Sequence, residues 1–179
     1  SMKKGSVIAD FLVLLYEQGP LRLLLRRAQH IICSSDYIRF NFLKAYVHKS
    51  TTITPAVDSS LFKPDLSKKE TLPTLLFVAG LKKAEQYKGL HTLLLALTRV
   101  LAVMPEVRLR VVGDGDMLEE YRSIARKLGV ADAITFVGHK RGAELAEEYQ
   151  RAHAFILPSE KESFGMVLLE AMACALPTI

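Results

Sequence analysis

Tryptophan is missing from this 179-residue chain, and cysteine appears only twice, as Cys33 and Cys174. Two cysteines so far apart make neither a disulfide framework nor a thiolate metal motif, so a reducing, cytoplasmic setting is the default. The five histidines are scattered and suggest no metal constellation. No Ser-His-Asp or Cys-His arrangement, internal repeat or low-complexity tract stands out. Membrane-spanning length is lacking too: Val7 to Tyr16 is apolar, but Asp10 interrupts it and it falls short of the ~20 residues a span needs. Lys3-Lys4 ahead of that run imitates a signal peptide. Glu17-Gln-Gly-Pro20 follows instead of a small-residue cleavage site, and the spacing predicts an amphipathic helix ended by Gly19-Pro20. Ser1-Met2 looks like a tag remnant before a start methionine and is set aside.

Acidic residues are scarce in the first third. Residues 1–64 hold 9 Lys+Arg against 4 Asp+Glu, and residues 65–179 hold 15 against 15, so the first third carries the whole net charge of +5. A solvated basic face accounts for this; attraction to an anionic lipid surface or acceptor is the sharper reading. Interleaved aromatic stacking residues are lacking, which removes nucleic acid from the expected partners.

Hydrophobic residues make up 50% of the chain, enough for a core. In the first part, Pro20 starts a helix over Leu21–Ala28. Ile31–Cys33 reads as a short buried strand, and Ser34-Ser-Asp36 cap a helix over Tyr37–Val47. Thr51–Thr54 is a further strand candidate, and the polar Pro64–Pro73 reads as a linker. From Thr74 onward strands and helices alternate. The strands are Leu75–Val78, Val107–Val112, Ile134–Val137 and Phe155–Leu157; the helices are Leu90–Met104, Met117–Leu128 and Ala143–Ala152. A helix beginning near Gly165 follows, and Thr178-Ile179 opens another strand. This alternation predicts an α/β fold, a parallel Rossmann-like sheet flanked by helices, with ligands expected at the strands' C-terminal edge. The domains expected are 1–64 and 65–179.

Four stretches on that edge carry candidate chemistry. Lys88-Gly89 stands before a helix, where a lysine can meet phosphate as a point charge. Gly113-Asp-Gly115-Asp makes a tight turn; the third glycine of a dinucleotide fingerprint is replaced by Leu118. Phe136-Val137-Gly138-His139 closes the third strand. The richest stretch is Glu162-Ser-Phe164-Gly165-Met166-Val167-Leu-Leu-Glu170-Ala-Met-Ala-Cys-Ala-Leu-Pro177. Amides in a helix's first turn lack internal partners and sit at the positive end of its dipole, so the turn after Gly165 can receive phosphate. Glu162 precedes the helix and Glu170 lies about two turns along it. Glycoside hydrolysis also uses two carboxylates, but needs them to face one bond.

This stretch resembles the E-x7-E signature of retaining nucleotide-sugar glycosyltransferases of the GT-B fold, family 4, with Ala175 where those proteins usually have glycine. The resemblance covers roughly residues 21–179. It implies the C-terminal, donor-binding domain, preceded by the tail end of an acceptor-side domain. The implied activity is sugar transfer from a nucleotide-diphosphate sugar to an acceptor such as a glycan or lipid-linked saccharide. Glu162 would hold the transferred sugar's hydroxyls. Lys88 and the Phe164–Val167 amides would hold the diphosphate, and Glu170 the ribose. Gly113 and Gly115 match the family's G-D-G loop, while the main chain of Val137, Gly138 and His139 would read the base. An arginine expected at Gly80 is absent, so Lys82 or Lys83 is the substitute charge. The implied chemistry needs no metal and no cofactor. With most of an acceptor domain absent from these residues, little or no transfer is expected of them alone, and exposed apolar surface would favour self-association. A non-catalytic nucleotide-binding or protein-interaction module is the alternative.

Overall fold

A computed structural model describes residues 19–162 and 164–179. The helix expected over Val7–Tyr16 and the residue Ser163 lie outside the described residues. The chain divides into two compact units, Ser1–Pro55 and Ala56–Ile179.

In the first unit, α1 (Pro20–Arg27) begins with proline, whose missing N–H is harmless at a helix start. Strands β1 (Ile31–Cys33) and β2 (Ser50–Thr52) pair in parallel, with Ile31 opposite Ser50. Cys33 is buried but Ile32 is 65% exposed, so β1 is only half the buried strand its composition predicts. The single helix expected over Tyr37–Val47 is replaced by a π-turn, Ile38–Phe42, and a 3-10 turn, Lys44–Lys49. The Asn41 side chain donates 2.9 Å to the Tyr37 carbonyl, competing for the acceptor that its own amide would use in an α-helix. Leu43 then reaches back five residues to Ile38. Ser35 does cap the segment, accepting from the Ile38 amide at 3.3 Å.

The second unit holds the parallel sheet. Strands β3 (Thr74–Val78), β4 (Arg108–Val112), β5 (Ile134–Gly138) and β6 (Ala154–Phe155) stand in the order β5-β4-β3-β6. Leu76, Phe77, Leu109, Val111 and Phe155 are fully buried, as strands covered on both faces require. The connections include α2 (Leu90–Val103), α3 (Leu118–Lys127) and α4 (Gly142–Arg151), and α5 (Met166–Ala173) follows β6. Thr178 bridges Phe155 in parallel, so the last residues do begin a strand beside β6. The order reverses between β3 and β6, the switch point outside which open α/β sheets bind ligands.

Pro64–Pro73, read from its polarity as a linker, is strapped to this unit. Glu70 accepts from Arg151 Nε and Nη2 at 2.8 and 2.6 Å, Lys68 reaches Gln150 at 3.1 Å, and Lys69 donates to the Ala152 carbonyl. Phe62 is buried against Tyr149, ring centroids 5.8 Å apart. Residues 56–64 therefore pack with the sheet, and the division between units falls after Pro55 rather than after Pro64. Among the described residues no helix is long and apolar enough to cross a membrane.

Candidate functional site

A cleft of about 410 Å³ opens at the C-terminal ends of β3, β4 and β5. Its walls include Gly80, Lys82 and Glu85 after β3, Gly113 after β4, His139 and Arg141 after β5, and Val167 and Glu170 of α5. Five residues singled out in the sequence thus share one hollow: Lys82, Gly113, His139, Val167 and Glu170. Gly115, Val137, Gly138, Phe164, Gly165 and Met166 occupy the same loops and helix start without lining it.

The glycines differ in what they do. A Cβ on Gly113 would fall 1.9 Å from the Ala79 carbonyl oxygen, and its φ of +148° is poorly tolerated by other residues. A Cβ on Gly115 would fall 2.3 Å from the Leu81 carbonyl carbon. Both serve close packing of the β4 loop on the β3 loop, which Leu81 N to Asp114 O at 3.0 Å and Met117 N to Leu81 O at 2.9 Å hold together. Gly138, at φ +82°, faces open space. Its carbonyl is committed to the Gly113 amide at 2.9 Å.

The expectation that no Asp-x-Asp occurs fails at Asp114-Gly115-Asp116, which has the spacing of a metal-binding diacid. Here Asp114 Oδ1 accepts from the Gly115 amide at 2.8 Å and Asp116 Oδ1 from the Lys83 amide at 2.9 Å. One oxygen of each is thereby used to shape the turn. Of the two lysines that can replace an arginine at position 80, only Lys82 lines the cleft.

Helix α5 starts at Gly165, left-handed at φ 76° and ψ 51°, with no side-chain cap bond. Its first amides therefore keep the unmet donor capacity of a helix N-terminus. Val167 and Glu170, three residues apart, share a helix face. Burial raises the Glu170 carboxyl above the usual range, partly offset by a hydrogen bond from Tyr149, whose hydroxyl donates 2.8 Å to Oε2. Glu162 and Lys88 lie outside the cleft lining. They pair with each other instead, Nζ to Oε1 at 2.5 Å. Their loops meet tightly: Glu160 N bonds Tyr87 O at 2.9 Å, and a Cβ on Gly89 would fall 2.1 Å from the Pro158 oxygen.

Tyr149, Glu85 and Arg141 are site residues that the pattern did not indicate. Tyr149 reads as a core aromatic of an amphipathic helix, and only the fold aims its hydroxyl at Glu170. Arg141 donates from Nε to His139 Nε2 at 2.7 Å.

The family model described as glycosyl transferases group 1 matches residues 58–179. A D-inositol 3-phosphate glycosyltransferase of Segniliparus rotundus is 35% identical over 140 residues, covering 73% of this chain and 31% of the relative. A GDP-mannose-dependent alpha-(1-6)-phosphatidylinositol monomannoside mannosyltransferase of Mycobacterium tuberculosis is 32% identical over 160 residues, covering 81% and 42%. Among solved structures, sucrose-phosphate synthase from Thermosynechococcus elongatus superposes with a TM-score of 0.71 at 28% identity, over 87% of this chain and 41% of that one. The pneumococcal O-GlcNAc transferase GtfA, solved with UDP and GlcNAc, shares the fold at a TM-score of 0.70 and 23% identity, over 84% and 29%. The chain spans about a third of the length of the first curated relatives it matches, 31% to 36%.

Proposed function

This chain belongs to the group 1 glycosyl transferases, and from that membership and the chemistry of the cleft we propose that it forms the donor-binding part of a retaining transferase of the GT-B fold. The donor is a nucleotide-diphosphate sugar. The acceptor is a glycan or lipid-linked saccharide.

The observation that carries this reading is the convergence of Val167 and Glu170 on one cleft with Gly113 and His139, at the C-terminal edge of a parallel sheet. A helix start attracts the diphosphate, and a carboxylate three residues along accepts from sugar hydroxyls. In this assignment the Phe164–Val167 amides, Lys88 and Lys82 take the diphosphate. Glu170 takes the ribose, and the main chain of Val137, Gly138 and His139 takes the base. Gly113 and Gly115 let the loop fold closely enough to shape the floor. Glu162 receives the transferred sugar's hydroxyls and favours its oxocarbenium-like transition state. As the bond from the anomeric carbon to the diphosphate breaks, the electron pair leaves with the diphosphate. Fixed donors there lower the barrier by stabilising developing charge, with no metal required.

Isothermal titration with UDP, GDP and ADP tests the reading. Binding to one of them is expected. Binding to none would favour a non-catalytic interaction module, with the basic first third as its docking surface.

A further inference from the structure

We propose that Tyr149 is a positioning residue for Glu170, fixing its carboxylate so that the cleft prefers an intact ribose diol; the inference rests on the donor-binding reading above.

Tyr149 comes from the last turn of α4 and is fully buried. Its ring is wedged between Phe62 at 5.8 Å and Phe155 at 5.7 Å, so the hydroxyl has a fixed origin. That hydroxyl lies 2.8 Å from Glu170 Oε2 and 3.2 Å from the Val167 carbonyl oxygen. A phenol has one proton to donate. The carboxylate, nearer and charged, is the stronger acceptor. Burial and the Glu170 charge both raise the Tyr149 pKa, keeping the phenol a donor. Without the bond, the Glu170 carboxylate would move about the single bonds of its side chain.

The consequence is an asymmetric carboxylate. Oε2 is tethered to the core, while among the described residues no donor bonds to Oε1. Glu170 also lines the cleft. Two hydroxyls on adjacent carbons can donate to Oε1 and to the remaining lone pair of Oε2. A ligand lacking them leaves this acceptor unmet, and a polar site discriminates strongly against an analogue missing its hydroxyl.

The test compares UDP, GDP and ADP with their 2′,3′-dideoxy counterparts by titration calorimetry on the full chain. The wild type is expected to bind at least one ribonucleotide about tenfold more tightly than its dideoxy form. Tyr149→Phe keeps the ring packing, and a thermal melt checks that it stays folded. It is expected to narrow the preference to about threefold or less by weakening the ribonucleotide alone, with dideoxy affinity within about twofold of wild type. Glu170→Asp keeps charge and phenol but withdraws the carboxylate by one methylene, and is expected to narrow the preference similarly. Leu97→Ala, a core change in α2, is expected to lower the melting temperature and leave the preference intact. Full preference retained in Y149F or in E170D overturns the inference, as does equal weakening of both ligand types in Y149F. A wild type that binds nucleotides without preferring the diol overturns it too, while leaving donor binding standing. A wild type that binds none removes the donor-binding reading, and this inference with it.

Discussion

Lys88 and Glu162, 74 positions apart in sequence, meet at 2.5 Å where the loops after β3 and β6 converge. The pair is part-buried, with 20% and 24% of the side-chain surfaces exposed. The cation proposed for the diphosphate is thus paired with the carboxylate proposed for the sugar. On the proposed reading, donor binding exchanges this partnership for two new ones.

Substitutions at these two positions should therefore act in opposite directions on nucleoside diphosphates. Lys88→Ala is expected to weaken binding about tenfold, about 1.4 kcal/mol, through loss of a charge-assisted contact. Glu162→Gln removes the competitor for Lys88, so nucleoside diphosphate should bind as tightly as to wild type or a few-fold tighter. The intact nucleotide sugar should lose its extra affinity over the diphosphate. Titration calorimetry with both ligand types reads the difference; weakened nucleoside-diphosphate binding in E162Q would contradict the exchange.

The glycine turns separate packing from strain. Gly113→Ala drives a methyl into the Ala79 carbonyl, whereas Gly138→Ala meets no atom within 4 Å and bears only the cost of a φ of +82°. The expected losses are about 3 kcal/mol or more for the first and about 1–2 kcal/mol for the second. Urea denaturation measures both.

Phe62 tests whether the segment before Pro64 belongs energetically to the sheet. Phe62→Ala should cost about 3–5 kcal/mol of stability, the range for an aromatic removed from a packed core. A loss below about 1 kcal/mol would mean that the Phe62–Tyr149 contact does not anchor this segment.

Glu170 carries a pH signature. Its folded-state pKa is raised, chiefly by burial, so between its unfolded and folded values the folded chain binds more protons than the unfolded one. Stability from this group is therefore full below the unfolded value and is lost as pH rises through the folded value. Glu170→Gln, which cannot ionise, should melt higher than wild type at pH 7. The gap should close below about pH 4, where the glutamate is protonated in both states. The same substitution is expected to weaken nucleotide binding, so stability and affinity should move in opposite directions.

Local patterns placed most of the second unit. Apolar runs such as Leu75–Val78 and helical repeats such as Leu90–Met104 fall within one to three residues of the observed elements, because burial demands one periodicity from a strand and another from a helix. The same patterns misread Tyr37–Val47, where Asn41's competition for the Tyr37 carbonyl is a matter of geometry rather than of composition.

The amino-acid order alone determined an alternating α/β unit, polar and glycine-bearing loops on one edge of its sheet, and the Glu162–Glu170 motif whose resemblance named the family. Those features depend on neighbours a few residues apart. Tertiary structure alone decided that Lys82 and not Lys83 reaches the cleft, that Lys88 and Glu162 hold each other, and that a phenol in α4 tethers Glu170. Each of these joins groups on separate elements, and such a contact exists only after the sheet's strand order has carried distant loops to the same place.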